Sequence, residues 1–184
     1  MKQRLKSASV ASAWALLLLI LSGCDNNTPL MLAVVDEDVG AVKSMLEKGA
    51  AVDERNAYGW TALMHAAKTG NVELVDVLIE HGADIDAQDQ TGRTALIKAA
   101  FSGQDDMVKL LLARGAKVDL ADGEGRTALH WAVARSRMEI VAMLLDAGAD
   151  YTAKTRDGLT PKMLAHQDGD PDLINMLEQR GIKR

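Results

Sequence analysis

Two hydrophobic patterns divide the chain. Near the N-terminus, Ala13-Trp14-Ala15-Leu16-Leu17-Leu18-Leu19-Ile20-Leu21 is an unbroken apolar run of nine. Beyond residue 28 the apolar residues fall instead into short stripes, such as Leu74, Val75, Leu78 and Ile79, or Ile140, Val141, Leu144 and Leu145. Positions spaced in this way share one face of an α-helix, so the stripes predict short amphipathic helices packed on one side. A glycine follows each stripe, at Gly49, Gly82, Gly115, Gly148 and Gly181. Glycine there supplies the left-handed residue that stops a helix.

The stripes are periodic. Thr28, Thr61, Thr94, Thr127 and Thr160 are each 33 residues apart, with no slip of register. Each Thr is placed to cap a helix by accepting from its free N–H groups. Pro29 and Pro161 take the first helical position, where a missing N–H costs nothing. Ala33, Ala66, Ala99, Ala132 and Ala165 keep that first helix thin, so that neighbours can stack. A period of this length marks a solenoid, in which each unit buries its apolar face only against its neighbours.

The openings read TPLMLAV, TALMHAA, TALIKAA, TALHWAV and TPKMLAH, and Gly82-Ala83-Asp84 and Gly148-Ala149-Asp150 close their units. This resembles the ankyrin repeat, over residues 28–181. The resemblance implies an all-α repeat solenoid in which each unit is a helix-turn-helix plus a β-hairpin or loop, with a short tail at 182–184. The ends depart from the pattern. Lys162 and Glu178 replace the Leu or Ile of inner units, as a polar capping repeat requires. Glu37 stands where inner units carry Gly70 and Gly103, and Pro171 opens a short final helix.

The N-terminal run follows Lys2, Arg4 and Lys6 and precedes Ser22, Gly23 and Cys24, which is the layout of a secretory signal peptide. A membrane-spanning helix is the competing reading, but it needs about 20 apolar residues. Leu21-Ser22-Gly23-Cys24 resembles the lipobox of bacterial lipoproteins. That implies cleavage after residue 23, acylation of Cys24 and a tether of residues 24–27. The competing reading is ordinary cleavage beside an incidental cysteine. Cys24 is the one cysteine of the chain, so no intramolecular disulfide can form. The Asp25 that follows it implies retention on the periplasmic face of the inner membrane, by resemblance to enteric-type lipoproteins.

Cleavage removes three cations, leaving 18 Lys and Arg against 26 Asp and Glu, a net charge of −8. Such a balance opposes a phosphate backbone, so no nucleic-acid partner is expected. No zinc-ligand spacing, P-loop or nucleophile elbow occurs. No cofactor, no metal and no enzymatic activity are expected. His130 fills the T-x-x-H slot, which by the ankyrin resemblance is structural. Asp105-Asp106 and Asp168-Gly169-Asp170 read as solvated loop acids.

Partner contacts in ankyrin proteins come from the hairpin tips and the exposed side of the first helix, a concave face. In this register the candidates are Tyr58, Trp60, His65, Lys68, Arg93, Lys98, Phe101, Arg126 and Trp131. Four of the five aromatic residues after Cys24 lie among them, the fifth being Tyr151. Trp, Tyr and Arg are the residues that dominate binding hot spots. The alternative is that they pack against the next repeat, Trp131 first. The expected function is a non-enzymatic, monomeric interaction protein, held to membrane lipid through acylated Cys24 and facing a protein partner. That partner is either a toxin or hydrolase to be neutralised or an envelope enzyme to be supported.

Overall fold

The computed structural model describes residues 26–181; Cys24 and the signal segment lie outside them. Regular structure among the described residues is helical and comes in pairs. These are α1 (Pro29–Val35) with α2 (Val39–Glu47), α3 (Ala62–Thr69) with α4 (Val72–Glu80), α5 (Ala95–Ser102) with α6 (Asp105–Ala113), α7 (Ala128–Val133) with α8 (Met138–Asp146), and α9 (Pro161–Asp168) with α10 (Pro171–Gly181). The first helices of the pairs stack on one another in one layer, and the second helices form the other.

The periodic residues do local work. Thr28, Thr61, Thr94 and Thr160 accept from the N–H of Met31, Met64, Ile97 and Met163 at 3.2–3.4 Å. Thr127 differs, because its backbone N–H and hydroxyl both reach His130 Nδ1, at 3.2 and 2.9 Å. Ala66, Ala99, Ala132 and Ala165 are fully buried where the first helices touch. Leu74, Val75, Leu78, Ile140, Val141 and Leu144 are fully buried too. Each such side chain contributes about 1.5–3 kcal/mol on leaving water.

A second periodic series ties repeat to repeat. Asp53 accepts from Asp84 N at 3.1 Å, Asp86 from Lys117 N at 2.9 Å and Asp119 from Asp150 N at 2.8 Å. A polar cap closes the far end, where Lys162 Nζ meets Glu178 Oε1 at 2.8 Å.

Several expectations change. The final helix spans eleven residues and is the longest described, so it is not short. Gly181 ends that helix instead of following it. Asp105 and Asp106 are the first turn of α6, not loop acids; carboxylates there face the positive end of the helix dipole. Asp170 Oδ1 accepts from Asp172 N and Leu173 N, both at 3.1 Å, and so caps α10. The hairpins contain no strand among the described residues. Neighbouring tips are joined by one backbone bond each, Gln90 N to Tyr58 O (3.1 Å), Gly123 N to Thr91 O (2.7 Å) and Arg156 N to Glu124 O (2.8 Å), and by side chains, Gln90 Nε2 donating to Ala57 O at 2.7 Å and Gln88 Nε2 to Ala121 O at 3.0 Å. No described helix is long and apolar enough to cross a membrane.

Candidate functional site

Every tip is built by one polar side chain. Asn56, Asp89 and Asp122 stand 33 residues apart, five before the capping Thr. The Oδ1 of each accepts from the backbone N–H two and four residues on, at 2.8–3.0 Å. Thr155 replaces them in the last tip and accepts from Leu159 N at 3.1 Å. This is an Asx-type turn, in which a short side chain takes over backbone hydrogen bonding.

The second oxygen of each carboxylate points at the helix layer. Asp89 Oδ2 takes Lys98 Nζ at 2.6 Å, and both side chains are at most 5% exposed. Burial pushes the Asp89 carboxyl up, but the hydrogen bonds from Lys98, Thr91 and the Arg93 backbone outweigh it and hold the group below its ordinary value. Asp122 Oδ2 accepts from Trp131 Nε1 at 3.0 Å and faces Arg93 Nε at 3.5 Å. Asn56 turns its Nδ2 to Asn27 Oδ1 at 2.7 Å.

These anchors set a run of rings and cations along the tip face. Trp60 packs on His65, with ring centroids 4.9 Å apart. Lys98 Nζ lies 3.6 Å and Lys68 Nζ 5.3 Å from the Trp60 ring centre. Phe101 meets Trp131 edge-on at 5.2 Å. Arg93 and Arg126 lie over Trp131 at 4.5 and 4.9 Å, and Arg135 lies over Phe101 at 4.1 Å. A cation above a ring face is attracted by the ring quadrupole, by about 0.5–2 kcal/mol according to exposure. A cavity of about 190 Å³ opens between Trp60 and Phe101, with Lys68, Arg93 and Lys98 on its walls. A second, of about 330 Å³, lies between Tyr58, Trp60 and Thr91.

The family model described as Ankyrin repeats (3 copies) matches residues 7–89, 85–155 and 124–183. The chain belongs to the ankyrin-repeat family. A search of curated proteins found no match. Ankyrin domains serve protein–protein interaction and are typically non-catalytic. Among the described residues, no group of three or more His, Cys, Asp or Glu is arranged to hold a metal.

The ankyrin tip face gathers all nine candidates into one strip, but not in one role. Tyr58 is half exposed and Lys68 is exposed. Trp60, His65, Arg93, Phe101, Arg126 and Trp131 are half-buried and stack in two groups, His65 on Trp60 and the other three around Trp131. Trp131 also packs on the core, as does Tyr151. Lys98 is 6% exposed, so it props Trp60 from beneath and does not reach solvent. Sequence reading missed Arg135, whose guanidinium completes the strip on the Phe101 ring. It also missed the tip series Asn56, Asp89 and Asp122, although their 33-residue spacing was visible.

His130 is fully buried and serves structure. Its Nδ1 accepts from Thr127 N–H, so Nε2 carries the proton and donates to Leu159 O at 3.3 Å. Burial pushes its pKa below the ordinary histidine value. A proton on Nδ1 would confront the Thr127 N–H.

Proposed function

We propose that this protein is an exported bacterial lipoprotein whose ankyrin array binds a protein partner through the tip face, close to the membrane that holds its lipid. The observation that carries the reading is the strip itself. Aromatic rings outside the main core are stacked with cations along three consecutive repeats. Clustered aromatic and Arg side chains are the usual anchors of protein interfaces.

The tether supports the membrane part. Asn27 is bonded to Asn56 at the second repeat's tip. A lipid on Cys24 is separated from that anchor by Asp25 and Asn26 alone, about 10 Å of extended chain. The tip face would then stay beside the bilayer, with membrane proteins or proteins recruited there within reach.

The test has two parts. Metabolic palmitate labelling of the wild type and of Cys24→Ser reports the anchor; label retained by the Ser variant refutes lipidation at Cys24. Photo-crosslinking from position 58 in intact envelopes reports the partner. A discrete adduct lost in Trp60→Ala, with α-helical content unchanged, supports the tip face. An adduct indifferent to Trp60 moves the interface elsewhere. A captured toxin or hydrolase separates neutralisation from support of an envelope enzyme, and turnover by the purified protein would refute the non-enzymatic reading.

A further inference from the structure

The strip carries a charge opposite to that of the protein. Lys68, Arg93, Lys98, Arg126 and Arg135 lie on its rings, against the carboxylates of Asp89 and Asp122. Five cations and two anions leave +3 on this face, in a chain whose formal net charge is −5. At the rim, Glu124 is paired with Arg156 at 3.7 Å.

The cations are not equally committed. Lys98 is spent on Asp89 at 2.6 Å, and Arg93 Nε is shared with Asp122 at 3.5 Å. Among the described residues, Lys68, Arg126 and Arg135 have no carboxylate within ion-pair distance. Each is held by a ring face instead, at 5.3, 4.9 and 4.1 Å. A ring face fixes a guanidinium without occupying its N–H donors, which stay available for a carboxylate.

We infer that the tip face recognises an extended acidic segment of its protein partner, with carboxylates read by Lys68 toward one end and by Arg126 and Arg135 toward the other. The inference rests on the proposal above that this face is the binding surface. Spacing supports it. Stacked helices lie about 8–10 Å apart, and three residues of extended chain cover about 10 Å. Lys68 stands two repeats before Arg126 and Arg135, which flank α7 of a single repeat. An acidic residue at every third position therefore sets one carboxylate at Lys68 and another, about six residues on, at the two arginines, and the residues between them meet Trp60, Phe101 and the cavity between these rings. Charge also discriminates against a long polyanion. Screening at physiological salt acts over about 8 Å, so a short segment feels the strip alone, whereas a nucleic acid overruns it onto the acidic remainder.

The test uses the full chain in detergent and a fluorescent peptide with Asp at every third position, its Asn twin, a single-stranded oligonucleotide and anionic vesicles. Saturable binding of the Asp peptide, absent for the Asn twin and weakened at least about tenfold in a Lys68→Gln, Arg126→Gln, Arg135→Gln variant of unchanged helicity, is the expected result. Raising salt should weaken it further. Equal binding of both peptides, no saturation up to about 1 mM, an unaffected variant, or tighter binding of the oligonucleotide or vesicles overturns the inference. The position-58 crosslink separates the two proposals. If that adduct forms but the Asp peptide fails, the tip face stands and the acidic segment falls. If the adduct itself ignores Trp60, both fall.

Discussion

Histidine 130 couples the fold to pH. Its Nδ1 must remain an acceptor for Thr127, and burial holds its folded pKa below 6.5. Just below pH 6.5 the unfolded chain therefore binds more protons than the folded one, and stability falls as pH falls through that window. Thermal unfolding from pH 7.5 down to 5.5 should show a declining midpoint, flattened in His130→Gln; an unchanged slope would refute the assignment. The buried pair Lys98–Asp89 makes a second prediction. Lys98→Met leaves Asp89 buried with only its Thr91 and Arg93 bonds, which should cost about 3 kcal/mol in denaturant unfolding. Adding Asp89→Asn should recover part of that loss. The histidine was legible in its T-x-x-H slot because its bonds to Thr127 are local. The lysine was not. What buries it is Trp60 from the preceding repeat, and register shows which positions share a face but not which side chain covers another.

At the scale of an element, the 33-residue period resolves into backbone requirements, which is why the helix pairs and their Thr-capped starts were readable. Gly70, Gly103 and Gly169 end first helices at φ 85, 78 and 71°, and Ser136 takes the same place at φ 50°. A side chain there costs about 1–2 kcal/mol, so Ser136→Gly should stabilise the fold by about 1 kcal/mol. The tips add a steric demand. A Cβ at Gly92 (φ 80°) would lie 2.8 Å from Gly123 N, whose bond to Thr91 O joins the tips. At Gly82 (φ 86°) a Cβ meets nothing within 4 Å. Gly82→Ala thus isolates the backbone cost, and Gly92→Ala should lose more and speed exchange of the Gly123 amide. Equal losses would show that tip contact contributes nothing. This close approach was not legible, because the expectation of a β-hairpin or loop says nothing of how near one tip's backbone comes to the next.

For the whole molecule, each repeat needs a neighbour, and the last described repeat carries charge where the inner ones carry leucine or isoleucine. Leu63, Leu96 and Leu129 are at most 1% exposed, but their equivalent Lys162 is exposed and bonded to Glu178. Ile79, Leu112 and Leu145 precede Glu178 in register and pack on the core. That bond and the Lys162 charge hold the Glu178 carboxyl below its ordinary value, so the cap stays charged at neutral pH. Restoring the inner pattern with Lys162→Leu and Glu178→Leu removes the charges and leaves an apolar end face with the shape of an interior one. Repeat interfaces of this kind are head-to-tail and do not close on themselves. Sedimentation of the double variant should show concentration-dependent association beyond a dimer wherever the first repeat's outer face accepts it, and a discrete dimer where two last repeats meet face to face. The chain without these two substitutions should remain a monomer at the same concentrations. A variant that also stays monomeric would show that the charges are not what keeps the array finite, leaving the shape of α9 and α10 to do so.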